Sequence, residues 1–255
     1  MDDARTRLHW ASGRGTTRPE DIAYSLFGIF KVHLPVLYGE PVENALGRLL
    51  AEIISRSGDI SVLDWVGEAS SFNSCFPANL VPYQTVPDIQ LTPSNPAKHS
   101  DLDLEKAQKL YNNLARLPRA KFVNNKLVLP SIAHPVTVVK LQGTSTRHSD
   151  RYTYEIHASR LTPLELTQSV YLDEDACRYS LVRPWHPEAL PTRTGSNDNA
   201  VWELLEQLKQ PFNALLLKEL RHNEYRRVAS DCMITVCPQD LVSVLDSQVL
   251  IPKIV

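Results

Sequence analysis

Arg14, Thr16, Thr17 and Arg18 lie within one short stretch, between Gly13 and the acidic pair Glu20-Asp21. Two guanidiniums and two hydroxyls beside glycines, at the start of a helix, are the ingredients of an anion site. Free backbone N–H groups and the positive end of the helix dipole point the same way there. Gly13-Arg14-Gly15-Thr16-Thr17 nevertheless lacks the Lys-Ser/Thr pair of a phosphate-cradling loop, and no strand pattern precedes it. The same residues can instead start a helix. Thr17-Arg18-Pro19-Glu20 fits a capping box, in which the threonine hydroxyl accepts from the Glu20 N–H and the Glu20 carboxylate reaches back to the threonine N–H. Pro19 sits where a missing N–H costs little, and Glu20 and Asp21 complement the dipole. Helix-start chemistry accounts for more of these residues than nucleotide binding does.

Other residue types offer less. Glu20 and Asp21 are adjacent, so on a helix their carboxylates diverge by about 100° and do not converge on one substrate atom. The eight histidines form no HExxH motif and no close pairing with cysteine, so no metal site is expected. Cys232 and Cys237 in a strand point to opposite faces and should neither ligate one metal nor bridge. Cys75 stands in Ser74-Cys75-Phe76-Pro77, without a nucleophile elbow, and reads as a buried structural thiol. Neither a catalytic set nor a cofactor is expected.

The elements that must carry these residues follow from periodicity. Ile22, Leu26, Ile29 and Phe30 recur at helical spacing, with Ala23, Tyr24 and Phe27 spreading apolar character around the cylinder, so one helix over residues 20–30 is expected to be buried on several sides. Leu34-Pro35 ends it, and Tyr38-Gly39-Glu40-Pro41 turns the chain into a second helix. There Val42, Ala45, Leu46, Leu49, Leu50 and Ile53 form a stripe opposite Glu43, Arg48, Glu52 and Arg56, stopped by Gly58. Ile60 to Trp65 reads as a short strand. Prolines then punctuate a stretch without apolar period.

A third amphipathic helix, Leu104 to Leu117, opens a part where strand signals dominate: Phe122 to Leu129 around Asn124-Asn125, Val136 to Leu141, and the alternation of Tyr152, Tyr154 and Ile156. A fourth helix is expected near Asn199 to Leu208. A hairpin follows, with Ala214 to Leu220 and Tyr225 to Ala229 as arms and His222-Asn223 at the tip. The expected class is α+β: an N-terminal helical segment (1–87), a proline-rich linker (88–103) and a mixed, mainly antiparallel β-rich module with a few helices (104–255).

The 255 residues and ordinary apolar share suffice for a real core. A net charge of −2 lacks the basic footprint of a general nucleic-acid binder. No apolar run reaches the roughly 18 residues of a membrane span, and the start is charged where a secretory signal would be apolar. The four cysteines (Cys75, Cys177, Cys232, Cys237) are too few and irregular for a disulfide framework and read as reduced thiols. An intracellular, cytoplasmic protein without nucleic-acid or membrane partners is the expectation.

The segment WASGRGTTRPEDIAYSLFGIF, continued by HLPVLYGEPVENALGRLLAEI and SVLDWVG, resembles the region that follows the HET (heterokaryon incompatibility) domain in fungal HET proteins, over about residues 8–66. The resemblance rests on Trp10, Arg14, Thr16, Thr17, Arg18, Glu20, Asp21, Tyr24, Gly28, Pro35, Tyr38, Gly39 and Glu40, among others. A weaker similarity appears at Glu224 to Asp231. Gly15 stands where the family often has a bulkier residue, and Pro41 replaces a usual glycine.

The resemblance implies a role in fungal non-self recognition and programmed cell death, with a HET domain, in cis or in trans, as partner. In full-length family members that domain, which looks like a distant relative of TIR domains, precedes this region. The chain is expected to begin at its edge, so no catalytic residue carries over. The reading is a non-enzymatic region that packs on or regulates a HET domain. The alternatives are a wall of a TIR-like nucleotide (NAD) hydrolase with Arg14 and Arg18 near the phosphates, or a protein-interaction module that also engages other proteins.

Overall fold

The computed structural model describes residues 3–85, 103–141, 151–173, 178–191, 197–221, 223–245 and 247–255. The proline-rich stretch 86–102, Cys177 and His222 lie outside the described residues.

Helix α1 (Ala4–Ala11) is capped by Asp3, whose carboxylate accepts from the Thr6 N–H. Two single turns follow, α2 (Asp21–Tyr24) and α3 (Phe27–Phe30), and then the long helix α4 (Val42–Ser57). Gly58 at φ +69° stops α4, its N–H donating to the Ile54 carbonyl, as its position predicts. Helix α5 (Leu104–Ala115) precedes the tight hairpin β1 (Lys121–Val123) and β2 (Lys126–Val128), where Asn124 and Asn125 both adopt positive φ. The remaining elements are β3 (Ser131–Lys140), β4 (Tyr152–Ala158), β5 (Leu164–Gln168), β6 (Tyr179–Pro184), α6 (Asn197–Lys209), β7 (Phe212–Arg221), β8 (Glu224–Arg227), β9 (Ile234–Val236), α7 (Leu241–Leu245), β10 (Gln248–Leu250) and β11 (Lys253–Ile254).

Nine strands run in the order β1-β2-β11-β8-β7-β6-β3-β4-β5, with β10 added on β3 and β9 on β7. Among the described residues every pairing is antiparallel except β11 on β8, which makes the class α+β with a mixed, mainly antiparallel sheet. Alternation along β7 places Leu215 and Leu217 on one face and Ala214 and Leu216 on the other, and both faces are covered. On the first face Leu215, Leu217, Leu127, Val182 and Ile254 join one apolar cluster with Leu8, Leu26, Leu46, Leu50 and Trp65, so the helical segment and the sheet share a core. A second cluster joins α5, α6 and α7 through Leu110, Leu114, Leu204 and Val244; a third fills the opposite face around Tyr154, Leu181 and Phe212.

Two expectations fail. Residues 20–30 do not form one helix buried on several sides. Ser25 and Leu26 separate two turns in which only Ala23 is buried, with Leu26 buried between them, while Ser25 Oγ donates to the Ile22 carbonyl and competes with the helical ladder. Ile60 to Trp65 is not a strand but a 3-10 turn, Ile60–Leu63, opened by Asp59, whose carboxylate accepts from the Ser61 N–H. Its carbonyls meet arginines instead of a ladder. Arg227 Nη1 and Nη2 donate to the carbonyls of Leu63 (2.7 Å) and Trp65 (2.9 Å), and Arg5 Nε to that of Asp64 (3.0 Å). Arg227 also lies 3.9 Å over the Trp65 ring. Two buried guanidiniums, one from α1 and one from β8, thus clamp three consecutive carbonyls and tie the helical segment to the sheet.

Candidate functional site

Several of the residues that carry the resemblance gather around the loop between α3 and α4. Gly39, at φ +88°, turns its N–H onto the Glu20 carboxylate at 3.0 Å, and that bond holds the Glu20 carboxyl below its usual range. The Tyr24 hydroxyl accepts from the Leu37 N–H at 3.0 Å and lies within donating distance of the Leu37 carbonyl (2.9 Å) and Glu40 Oε1 (2.5 Å). Burial and the contact with Glu40 push it above its ordinary pKa. Glu40 is ion-paired to Arg48, on α4, whose Nη1 and Nη2 both donate to the Pro35 carbonyl at 3.0 Å. Glu20, Tyr24, Pro35, Gly39, Glu40 and Arg48 therefore form one polar clasp that pins the loop across α2 and α4. Arg48 escaped the sequence reading because its place opposite the apolar stripe of α4 marks a solvated face.

The capping box does not form. The Glu20 carboxylate is spent on Gly39, Glu20 itself sits at the helix start in a helical conformation without a side-chain cap, and Thr16 Oγ1 donates to the Arg18 carbonyl at 2.7 Å. A tertiary bond has displaced a local one. Thr17 is exposed. Arg14 and Arg18 stack on different rings: Arg14 lies 3.8 Å over Trp10 and Arg18 4.5 Å over Tyr38. The Tyr38 ring in turn meets Tyr24 edge-on at 6.1 Å. Asp21 gives its carbonyl to the Ser25 N–H at 2.9 Å, and Gly28 is exposed, with open space where a side chain would stand.

Trp10 is 63% exposed, Tyr38 64% and Leu37 50%, with Arg14 stacked on Trp10 and Arg18 on Tyr38. Cys75 is fully buried and its thiol is pushed up to about 12 by burial, which keeps it protonated and unreactive. Cys232 and Cys237 are free thiols. No helix among the described residues is long and apolar enough to cross a membrane.

An α+β chain with a clasped loop and exposed arginine–aromatic stacks is thus the class that fold and site define. Among curated proteins it is similar to the vegetative incompatibility protein HET-E-1 of Podospora anserina, with 54% identity over 61 residues, 23% of this chain and 4% of that protein. The chain therefore covers only a small part of its relative's length. The match supports a fungal role related to vegetative incompatibility in general. No family model matches the chain, and no solved structure does.

Proposed function

We propose that the chain is a non-enzymatic region of a HET-type protein of fungal non-self recognition and programmed cell death, which packs on or regulates a HET domain. A cytoplasmic setting belongs to the same reading. The observation that carries it is the division of labour in the resemblance segment: Glu20, Tyr24, Pro35, Gly39 and Glu40 are spent on holding the loop, while Trp10, Arg14, Arg18 and Tyr38 face outward. Tryptophan, tyrosine and arginine are the residue types that most often dominate binding energy at interfaces.

Titration of the full chain with a separately produced HET domain, followed by calorimetry, tests the reading. Saturable binding is expected, weakened at least tenfold by the double substitution Trp10→Ala and Tyr38→Ala, with Thr17→Ala as a neutral control. Absence of binding, or binding that ignores both aromatic substitutions, counts against it. The chain alone is expected not to hydrolyse NAD; turnover abolished by Arg14→Ala or Arg18→Ala, with the fold intact, would favour the nucleotide-hydrolase reading.

A further inference from the structure

We propose that the cleft between residues 57–64 and the end of β6 is a binding site for a small organic cation, an ammonium group on an apolar stem, with the Asp64 carboxylate as its counter-ion. The cleft measures about 630 Å³, within the range of small-molecule sites, and Ile60, Pro184, Pro211 and Phe212 give it an apolar wall.

The ligand class follows from which polar groups are already satisfied. The Asp59 carboxylate accepts from the N–H groups of Ala4 (2.8 Å) and Ser61 (3.0 Å). Glu188 is ion-paired with Arg119. Arg183 caps the end of α6, donating to the carbonyls of Leu208 (2.9 Å) and Gln207 (3.2 Å), and stacks 4.6 Å over Phe212. His186 accepts the Glu188 N–H on Nδ1 at 3.2 Å, which places its own proton on Nε2.

Asp64 differs from all of these. Asp64 is half-buried and among the residues that line the cleft, and its carboxylate accepts no hydrogen bond from the described residues. The charges that face it are Arg5 from α1 and Arg227 from β8, with Asp3 and Asp59 opposing. Both guanidiniums direct their donors at main-chain carbonyls rather than at Asp64. A carboxylate partly withdrawn from water and left without a donor is costly, so a ligand that brings one is favoured. An ammonium supplies N–H donors and charge together, whereas an anion would meet the carboxylate head-on. Burial raises the Asp64 carboxyl to about 6, so the site holds its negative charge at neutral pH and loses it in mild acid.

The test uses the full chain, with butylammonium as probe and n-butanol as its neutral counterpart, while the Asp64 carboxyl is followed by carbon-13 NMR. Saturable binding of butylammonium is expected at pH 7.5, about tenfold weaker at pH 5 as the carboxylate is protonated, together with a lower Asp64 titration midpoint when the probe is present. Asp64→Asn should weaken binding at least tenfold. Equal binding of butanol, an unmoved Asp64 midpoint, or full binding by Asp64→Asn would overturn the assignment. If Asp64→Asn does not fold, the midpoint in the native chain decides alone.

Discussion

Tyr24 and Arg48 hold the same loop by different means, and their substitutions should separate. Tyr24→Phe removes a hydroxyl that joins Leu37 and Glu40 and is expected to cost about 1 kcal/mol in urea denaturation. Arg48→Met removes the ion pair of the Glu40 carboxylate and the donor of the Pro35 carbonyl and should cost about 2 kcal/mol. Asp64 works in the opposite sense. Its folded pKa, raised to about 6 from 3.8, means that the fold binds this proton more tightly than the unfolded chain does. The stability so gained is fully present below the unfolded pKa and is lost as pH rises through about 6. Asp64→Asn should therefore stabilise the chain at pH 7, on the order of 2 kcal/mol, with the gap closing toward pH 4. A variant less stable than the native chain at pH 7 would refute that sign. Of these groups, Glu20, Tyr24, Gly39 and Glu40 were legible in the sequence as positions. What they bond was not, because their partners lie 13 to 19 residues away across a loop of positive-φ geometry.

Among the elements, those with strong local signals read correctly. The α4 stripe ending at Gly58, the Asn124-Asn125 turn and the β7–β8 hairpin each carry their instruction within a few residues. Two of the failures, the strand at residues 60–65 and the capping box, occur where a distant group took over a local bond. Residues 60–65 look like a strand by composition, yet Arg5 and Arg227, far off in sequence, claim their carbonyls. Arg227→Met should consequently cost about 3 kcal/mol or more, because two buried carbonyls lose their donor along with the stacking on Trp65. Thr17→Ala, which a capping box would make costly, should change stability by less than about 0.5 kcal/mol, since Glu20 has turned to Gly39. A loss near 1 kcal/mol on thermal melting would restore the local cap.

For the molecule as a whole, the shared cluster beneath Leu215, Leu217 and Trp65 bears on the division at residues 88–103. Cleavage there by limited proteolysis should leave two pieces that stay associated on gel filtration, and the uncut chain should melt in one transition by both calorimetry and circular dichroism. Two separated transitions would mean that each part keeps a core of its own. The same architecture leaves Trp10, Leu37 and Tyr38 exposed, outside the shared cluster. The role of these residues is the central claim. Hydrogen–deuterium exchange of the chain, alone and with a HET domain added, tests it most directly. The account predicts slowed exchange at residues 7–18 and 36–40, with the sheet unchanged; protection confined to the β-rich part, or none anywhere, would contradict it.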